Sequence, residues 1–332
     1  MNDATKLAKN MLSHWRGDDG IVVALDSLAL IEVSGDDAQE FLQGQFSNDI
    51  DAVAAIDEAG NAPAAGCQLN AYCNPKGRAL AVIRVMRYWN GWLLLAPAAL
   101  AESLIKRLRM FVLRAKVSIE QRPWVLWSFI DAPVLTRVAE DNESVACVAV
   151  DGVVPRRLIF GEFPPMGAFA RIDALPLQLT DAPWRLADIL SGIAQIYPQT
   201  AKQFIPQFLN LDRAGGLSFS KGCYPGQEIV ARLRYRGRVK QRMVAARARG
   251  IDALAPGDPL YAGDSDNKIG TVVDALRIGD AGGRGRGGEY LFSATAPSPL
   301  DDQPLRVGPL PGHPATRIAL PSDAESEAEA EE

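Results

Sequence analysis

The stretch Lys221-Gly222-Cys223-Tyr224-Pro225-Gly226-Gln227-Glu228 is the most specific part of this chain, and a helical pattern follows it. Pro225 suits the first position of a helix, and Glu228 places a carboxylate against the positive end of the helix dipole. A cysteine at a helix start, two residues after a lysine, is in a setting that favours the reactive thiolate. The common alternative is a small, buried, unreactive cysteine. The flanking glycines favour a functional Cys223, and we predict Cys223 and Lys221 as catalytic residues.

The composition is that of an ordinary globular protein. The chain has 332 residues, of which 48% are apolar and 23% charged, enough for two or three domains. The first residues lack a secretory pattern, and no stretch reaches the roughly 18 to 20 uninterrupted apolar residues of a membrane helix. We therefore expect a cytoplasmic protein without a membrane partner.

The cysteines and histidines do not form a metal-ligand pattern. The four cysteines contain no C-x-x-C pair, and the two histidines lie near the ends of the chain. A zinc site or an iron–sulfur site with the usual spacing is therefore not predicted. Disulfides are not expected in a chain without an export signal.

Charge is distributed unevenly along the chain. The segment after Pro321 holds six carboxylates and no basic residue, and without them the formal net charge of −5 becomes +1. Low hydrophobicity and like charges predict a disordered, solubilising acidic tail over residues 321–332.

A second charged segment follows the cysteine. Residues 229–251, here called the basic ribbon, contain eight basic residues and no acidic one. Arginines alternate from Arg232 to Arg238, which places them on one face of an extended chain. Such a face attracts phosphate, nucleic acid or a polycarboxylate, although arginines paired with carboxylates elsewhere explain the pattern equally well. Nucleic acid alone is not favoured, because the body is nearly neutral and Tyr235 is the one interleaved aromatic residue.

Periodicity and turn residues predict both helices and strands along the chain. Helices are expected near residues 5–15, 37–46, 99–113 and 182–193, and strands near 21–25, 29–33, 78–87 and 92–95. The turn Cys73-Asn74-Pro75-Lys76-Gly77 predicts a hairpin. Beyond Arg249 the alternating pattern is all-β.

Four stretches together resemble the YgfZ family, whose members are folate-binding proteins related to the aminomethyltransferase (T-protein) of the glycine cleavage system. Residues 221–228 resemble its K-G-C-[FY]-x-G-Q-E signature. The other three stretches are Phe41–Asp49, with Q-G-Q and a downstream aspartate; Cys73–Arg78, similar to C-x-x-K-G-[KR]; and Gln203–Phe219, the lead-in to the cysteine.

The resemblance implies a three-domain, T-protein-like α+β fold around a central channel. Its domains would be an N-terminal α+β folate-binding domain (1–120, completed by 185–245), a ferredoxin-like middle domain (121–184) and a C-terminal β-barrel (246–320). It also implies tetrahydrofolate as the cofactor. The predicted folate-binding residues are Trp184, Tyr224, Gln227, Glu228, Arg232 and Leu28.

The chain departs from the aminomethyltransferase pattern at specific positions. Ala81 and Val82 stand where those relatives carry paired aspartates, one of which supports one-carbon transfer. A glutamate expected to hold the pterin ring falls on Leu190, with Asp188 nearby, and a second folate-facing tryptophan falls on Leu28. We therefore expect an altered pterin site without glycine-cleavage chemistry.

Three functional hypotheses follow. The first is a folate-binding accessory protein for iron–sulfur cluster assembly or repair, which indirectly supports tRNA modification and uses the thiol of Cys223; its partners would be iron–sulfur client enzymes or assembly proteins. The second is a tetrahydrofolate-dependent aminomethyl or methyl transferase. The third is a tRNA-binding module that uses Arg232–Arg249. An accessory protein is preferred to a transferase.

Overall fold

The fold is described from a computed structural model, which covers residues 3–16, 20–57, 60–89, 91–131, 145–161, 177–178, 180–263, 265–280, 287–299 and 304–323. Its helices are α1 (Asp3–Leu12), α2 (Ala38–Gln43), α3 (Ala98–Val112), α4 (Ala182–Leu190) and α5 (Gln227–Arg236). Of the predicted acidic tail, 321–323 form a helical turn and 324–332 lie outside the described residues. In the predicted middle domain, 132–144, 162–176 and 179 lie outside them as well.

An antiparallel five-stranded sheet forms the centre of the N-terminal part. Its strands, in spatial order, are β4 (Gln68–Cys73), β5 (Ala79–Tyr88), β6 (Gly91–Pro97), β2 (Leu28–Ser34) and β7 (Ser118–Arg122). Both faces are buried, because successive side chains point to opposite faces: Ile31 and Leu94 enter one core with α2 and α3, whereas Leu30 and Leu93 enter a second core with α1 and α4. The β4–β5 pairing confirms the predicted hairpin.

A six-stranded mixed sheet packs on the second core. Its order is β11 (Leu177–Gln178), β1 (Ile21–Ala24), β8 (Val125–Ile130), β10 (Arg156–Gly161), β9 (Val145–Val150) and β3 (Asn61–Ala62). Strands β1 and β3 come from the predicted N-terminal domain, yet they pair with strands of the predicted middle domain. The chain therefore crosses between the two sheets before residue 120.

The C-terminal part is a closed six-stranded barrel with its own apolar core, as the sequence predicts. Its strands are β12 (Gln241–Ile251), β15 (Gly288–Pro297), β14 (Lys268–Asp280), β13 (Pro259–Ala262), β16 (Leu305–Val307) and β17 (His313–Ile318). Across the described residues, no helix is both long and apolar enough to cross a bilayer.

Three predictions about the helical segments are corrected. Pro225 does not open α5: the helix begins at Gln227, and Gly226 is its N-cap in a left-handed conformation (φ +84°). The alternating arginines from Arg232 are not extended, because the chain stays helical through Arg236. The predicted helix over 182–193 ends at Leu190, shortly before the left-handed Gly192.

One buried carboxylate joins the two sheets. Asp188 on α4 accepts hydrogen bonds from Arg84 on β5 and Arg156 on β10, both at 2.6 Å and both on the same oxygen. All three side chains are almost completely excluded from solvent. Two buried guanidinium groups therefore depend on a single counter-charge.

We predict that Asp188→Asn lowers the free energy of unfolding by about 3–5 kcal/mol, because it leaves two buried arginines without a counter-charge. Urea denaturation measures the loss. The control is Asp36→Asn, which breaks the exposed pair with Lys116 and should cost about 0.5 kcal/mol or less. Equal losses for the two variants would show that the buried network does not stabilise the junction.

Candidate functional site

The thiol of Cys223 lies on the protein surface. Cys223 is an exposed free cysteine, whereas Cys73 and Cys147 are buried and Cys67 is partly buried. Burial raises the pKa of Cys73 to about 12 and that of Cys67 to about 11, so both stay protonated at neutral pH. Cys223 is therefore the accessible cysteine of the chain.

The buried side chain of Lys221 anchors residues 221–223 to the main chain around Gln43–Asn48. Its ammonium donates three hydrogen bonds, to the carbonyl oxygens of Gln43 (2.8 Å), Phe46 (2.8 Å) and Asn48 (2.7 Å). These use all three donors of an ammonium group. Burial lowers the pKa of Lys221 to about 8, although the negative charge of Asp49 partly offsets this by raising the pKa. The cation is thus committed to main-chain carbonyls, and a catalytic role for it beside the thiol stays a prediction.

Two glycines allow residues 221–228, here called the cysteine segment, to pack against the β4–β5 turn. A side chain at Gly226 would meet the carbonyl oxygen of Asn74 at 2.5 Å, and one at Gly77 (φ +67°) would meet Ile229 at 2.8 Å. The turn is held by Asn74, whose side-chain oxygen accepts from the main-chain N–H of Arg78 at 3.0 Å. The β4–β5 turn and the cysteine segment therefore pack together in a contact that requires a glycine on each side.

The lead-in segment connects the same region to α2, α5 and the barrel. Asn48 donates to the carbonyl of Gly215, and the Ser47 hydroxyl donates to that of Gly216. Gln207 donates to the carbonyl of Val230 on α5. Asn210, in a left-handed conformation, exchanges hydrogen bonds with Met243 on β12. All four stretches that carry the family resemblance therefore meet around the base of Cys223.

A cavity of about 460 Å³ lies where α4, one end of strands β2 and β6 in the five-stranded sheet, and the barrel meet. Its floor is partly apolar, from Leu28 and Trp184, and its polar side chains include Asp181, Asp188 and Arg185. Leu28 and Trp184 are distant in sequence, and both are predicted folate-binding residues. The structure brings these two together.

The other predicted folate-binding residues lie elsewhere. Tyr224 is buried under the cysteine segment, where its ring centroid is 5.6 Å from the Lys221 ammonium and burial raises its pKa. Gln227 is half-buried at the start of α5. Glu228 and Arg232 line a separate surface groove on that helix. The predicted folate-binding residues are thus divided among the cavity, the cysteine segment and the groove on α5.

The indole of Trp184 is part of the buried charge network. Arg156 and Arg84 lie over its ring, with guanidinium carbons 4.3 Å and 5.0 Å from the centroid. Trp184 is 2% exposed, and Asp188 on the next turn of α4 fixes both arginines. The tryptophan is therefore held rigidly at the cavity wall, and a ligand in the cavity would meet its accessible edge.

Sequence reasoning missed a second charged cluster in this wall. Asp274 on β14 accepts hydrogen bonds from Arg185 on α4 and from the hydroxyl of Tyr197 (2.8 Å). Burial, followed by the charge of Asp274, raises the pKa of Tyr197. Asp274 stands in an ordinary alternating strand pattern, so no local signal identifies it. It brings the barrel into the same cavity as α4.

Three of the departures from the aminomethyltransferase pattern are buried apolar positions. Ala81 and Val82 lie in the core beside α2 and α3, and Leu190 lies in the second core. None of these three lines the cavity, whereas the fourth departure, Leu28, does. The carboxylates that do line it include Asp188 and Asp274, each of which is bound to arginine.

The fold is that of the T-protein class of aminomethyltransferases. The crystal structure of glycine cleavage system aminomethyltransferase T from Bartonella henselae matches 95% of this chain and 89% of its own, with a TM-score of 0.62 and 14% identity. At that identity the likeness concerns the fold alone. It confirms the predicted α+β, T-protein-like architecture with a C-terminal barrel.

Sequence relatives identify the family more narrowly. The "tRNA-modifying protein YgfZ" of Edwardsiella ictaluri is 30% identical over 86% of this chain and 87% of its own. The protein of that name from Photobacterium profundum is 29% identical over 90% and 91%, and that from Colwellia psychrerythraea 29% over 78% and 82%. No protein-family model matches. The chain belongs to the YgfZ family.

We predict that Lys221→Met lowers the free energy of unfolding by about 3 kcal/mol, because three carbonyl acceptors lose their donor at about 1 kcal/mol each. Urea denaturation provides the measurement. Lys76→Met, in the exposed part of the neighbouring turn, is the matched control and should change stability by about 0.5 kcal/mol or less. A Lys221→Met protein as stable as the control would contradict the anchoring role.

Proposed function

We propose that this protein is a folate-binding accessory protein for iron–sulfur cluster assembly or repair, which supports tRNA modification and uses Cys223 as its functional thiol. Relatives that carry the name tRNA-modifying protein support the tRNA part. The iron–sulfur part follows from the family resemblance. The thiol belongs to the family's cysteine signature.

The observation that carries the proposal is the way the fold presents Cys223. Lys221 is buried and anchored two residues before it, and Gly226 is locked against the hairpin turn three residues after it. Between these fixed points the thiol is exposed. A cysteine kept only for packing would be buried, so this arrangement supports a thiol that meets a partner.

The cavity fits a folate in several respects. Its volume of about 460 Å³ lies within the range of small-molecule sites. Leu28 and Trp184 in its wall would contact the aromatic part of the ligand. Asp181, which is bound by the Ser27 hydroxyl, offers an acceptor to the ring N–H groups. Bound tetrahydrofolate would supply a one-carbon carrier.

A transferase reaction is less well supported. Proton transfer on a folate amine needs a carboxylate with a free oxygen and a suitable pKa. Ala81 and Val82 supply none; in the cavity wall Asp188 and Asp274 are bound to arginines, and Asp181 accepts from the Ser27 hydroxyl. The charged groups of this cavity are therefore better suited to binding than to acid–base chemistry.

We predict that Cys223→Ala folds normally but does not restore iron–sulfur enzyme activity in a strain lacking the gene. The residue is exposed, so its loss should leave the unfolding midpoint nearly unchanged. Cys147→Ala, which removes a thiol buried in the six-stranded sheet, is the control and should restore activity. Full rescue by Cys223→Ala would refute a functional thiol and leave folate binding open.

We further predict that tetrahydrofolate changes the intrinsic fluorescence of the full-length protein in a saturable way. The Trp184→Phe variant should lose most of this signal, because Trp184 lines the cavity, whereas Trp89→Phe, which alters an exposed tryptophan, should retain it. Calorimetry with the same ligand checks binding independently. A flat response by both methods would remove folate from the proposal without affecting the thiol.

A further inference from the structure

The basic ribbon is divided by the structure into a paired part and an unpaired part. On β12, Arg242 binds Asp212, and Arg247 and Arg249 share Glu289. On α5 and the loop after it, Arg232, Arg236, Arg238 and Lys240 are exposed, and within the described residues none of them has an ion-pair partner. The unpaired charge is therefore concentrated on the helix and its loop.

The exposed side of α5 contains an aromatic residue among these charges. Tyr235 is 68% exposed, which is unusual for a ring of this size. Its ring packs edge-on against Phe219 at 6.3 Å between centroids, and the guanidinium of Arg234 lies over Phe219 at 5.3 Å. The tyrosine is thus supported from one side while its other side faces solvent.

Next to Tyr235 lies a groove of about 540 Å³. It is lined by Glu228, Ala231, Arg232, Tyr235 and Arg236. These positions follow the i, i+3, i+4, i+7, i+8 spacing of one helix face. The small side chain of Ala231 leaves room between the arginines and the ring. We call this surface, with Arg238 and Lys240, the α5 face.

We propose that the α5 face binds single-stranded or looped RNA. Unpaired arginines attract phosphates, and unstacked bases stack on tyrosine rings and guanidinium planes. A polycarboxylate or an acidic protein segment would use the charges but would gain nothing specific from the exposed ring. The combination of Tyr235 with Arg232 and Arg236 around one groove therefore favours RNA.

The helical conformation places Tyr235 among the arginines, an arrangement that an extended chain would not give. In an extended chain Tyr235 would face away from the alternating arginines. On α5 it lies beside Arg232 and Arg236, three positions before it and one after it. The inference goes beyond the proposed function, since neither the thiol of Cys223 nor the cavity takes part in it.

The test is fluorescence anisotropy of the full-length protein with a labelled oligouridine of about 12 nucleotides, which spans a typical single-strand site. We expect binding whose logarithmic affinity falls with logarithmic salt concentration by about 0.7 for each phosphate contact. Arg236→Ala should reduce that slope by about 0.7. Tyr235→Ala should weaken binding by about 10-fold with an unchanged slope, because it removes stacking and no charge.

Arg249→Ala is the matched control. It removes one positive charge from the same ribbon, but from an arginine that shares Glu289, and it should change the affinity by about twofold or less. All three variants alter exposed side chains, so circular dichroism should show that each is folded.

Three results would overturn the proposal. The first is no binding at low salt. The second is a Tyr235→Ala affinity equal to that of Arg249→Ala. The third is competition by polyglutamate as effective as that by polyuridine at equal charge, which would indicate an acidic protein partner.

Discussion

The junction of the two sheets depends on burying two arginines against one aspartate. Arg84 belongs to the five-stranded sheet, Arg156 to the six-stranded sheet and Asp188 to the helix between them. A buried guanidinium without a counter-charge is strongly unfavourable, so both sheets must meet α4 at this one position. The same network fixes the indole of Trp184. The shape of the cavity is therefore a consequence of charge pairing as much as of apolar packing.

The cysteine segment also contains a buried cation, the ammonium of Lys221, but this cation is bound by carbonyl oxygens and not by a carboxylate. The ammonium of Lys221 donates to three main-chain carbonyls between Gln43 and Asn48, and in the described part of the chain it makes no ion pair with a carboxylate. Carbonyls satisfy its donors while leaving its charge in place. Because the donors point inward, the chain at Gly222 and Cys223 is directed outward. The inward direction of the Lys221 side chain thus explains both the anchorage of the segment and the exposure of the thiol.

Local signals in the sequence predicted local structure well. The hairpin at Asn74, the helix after Asp181 and the strands after Arg249 follow from turn residues and periodicity, which act over a few residues, whereas the closure of those strands into a barrel was implied by the family resemblance. The pairing of Asp188 with two sheets, and of Asp274 with Arg185, joins side chains far apart in sequence, so no periodicity encodes it. Pro225 was misassigned because the close approach of Gly226 to the hairpin turn, a tertiary contact, decides where α5 begins.

Helix α5 buries little of its surface against the rest of the fold. Val230 is its buried residue, so packing contributes little to its stability. Glu228 in the first turn and Arg234 and Arg236 in the last turn oppose the helix dipole, which explains part of the charge pattern without any ligand. That effect ends with the last turn, however, and accounts for neither Arg238 and Lys240 beyond it nor the exposed ring of Tyr235. Helix stability therefore leaves unexplained the exposed ring of Tyr235, which lines the groove, and the two basic residues beyond the helix.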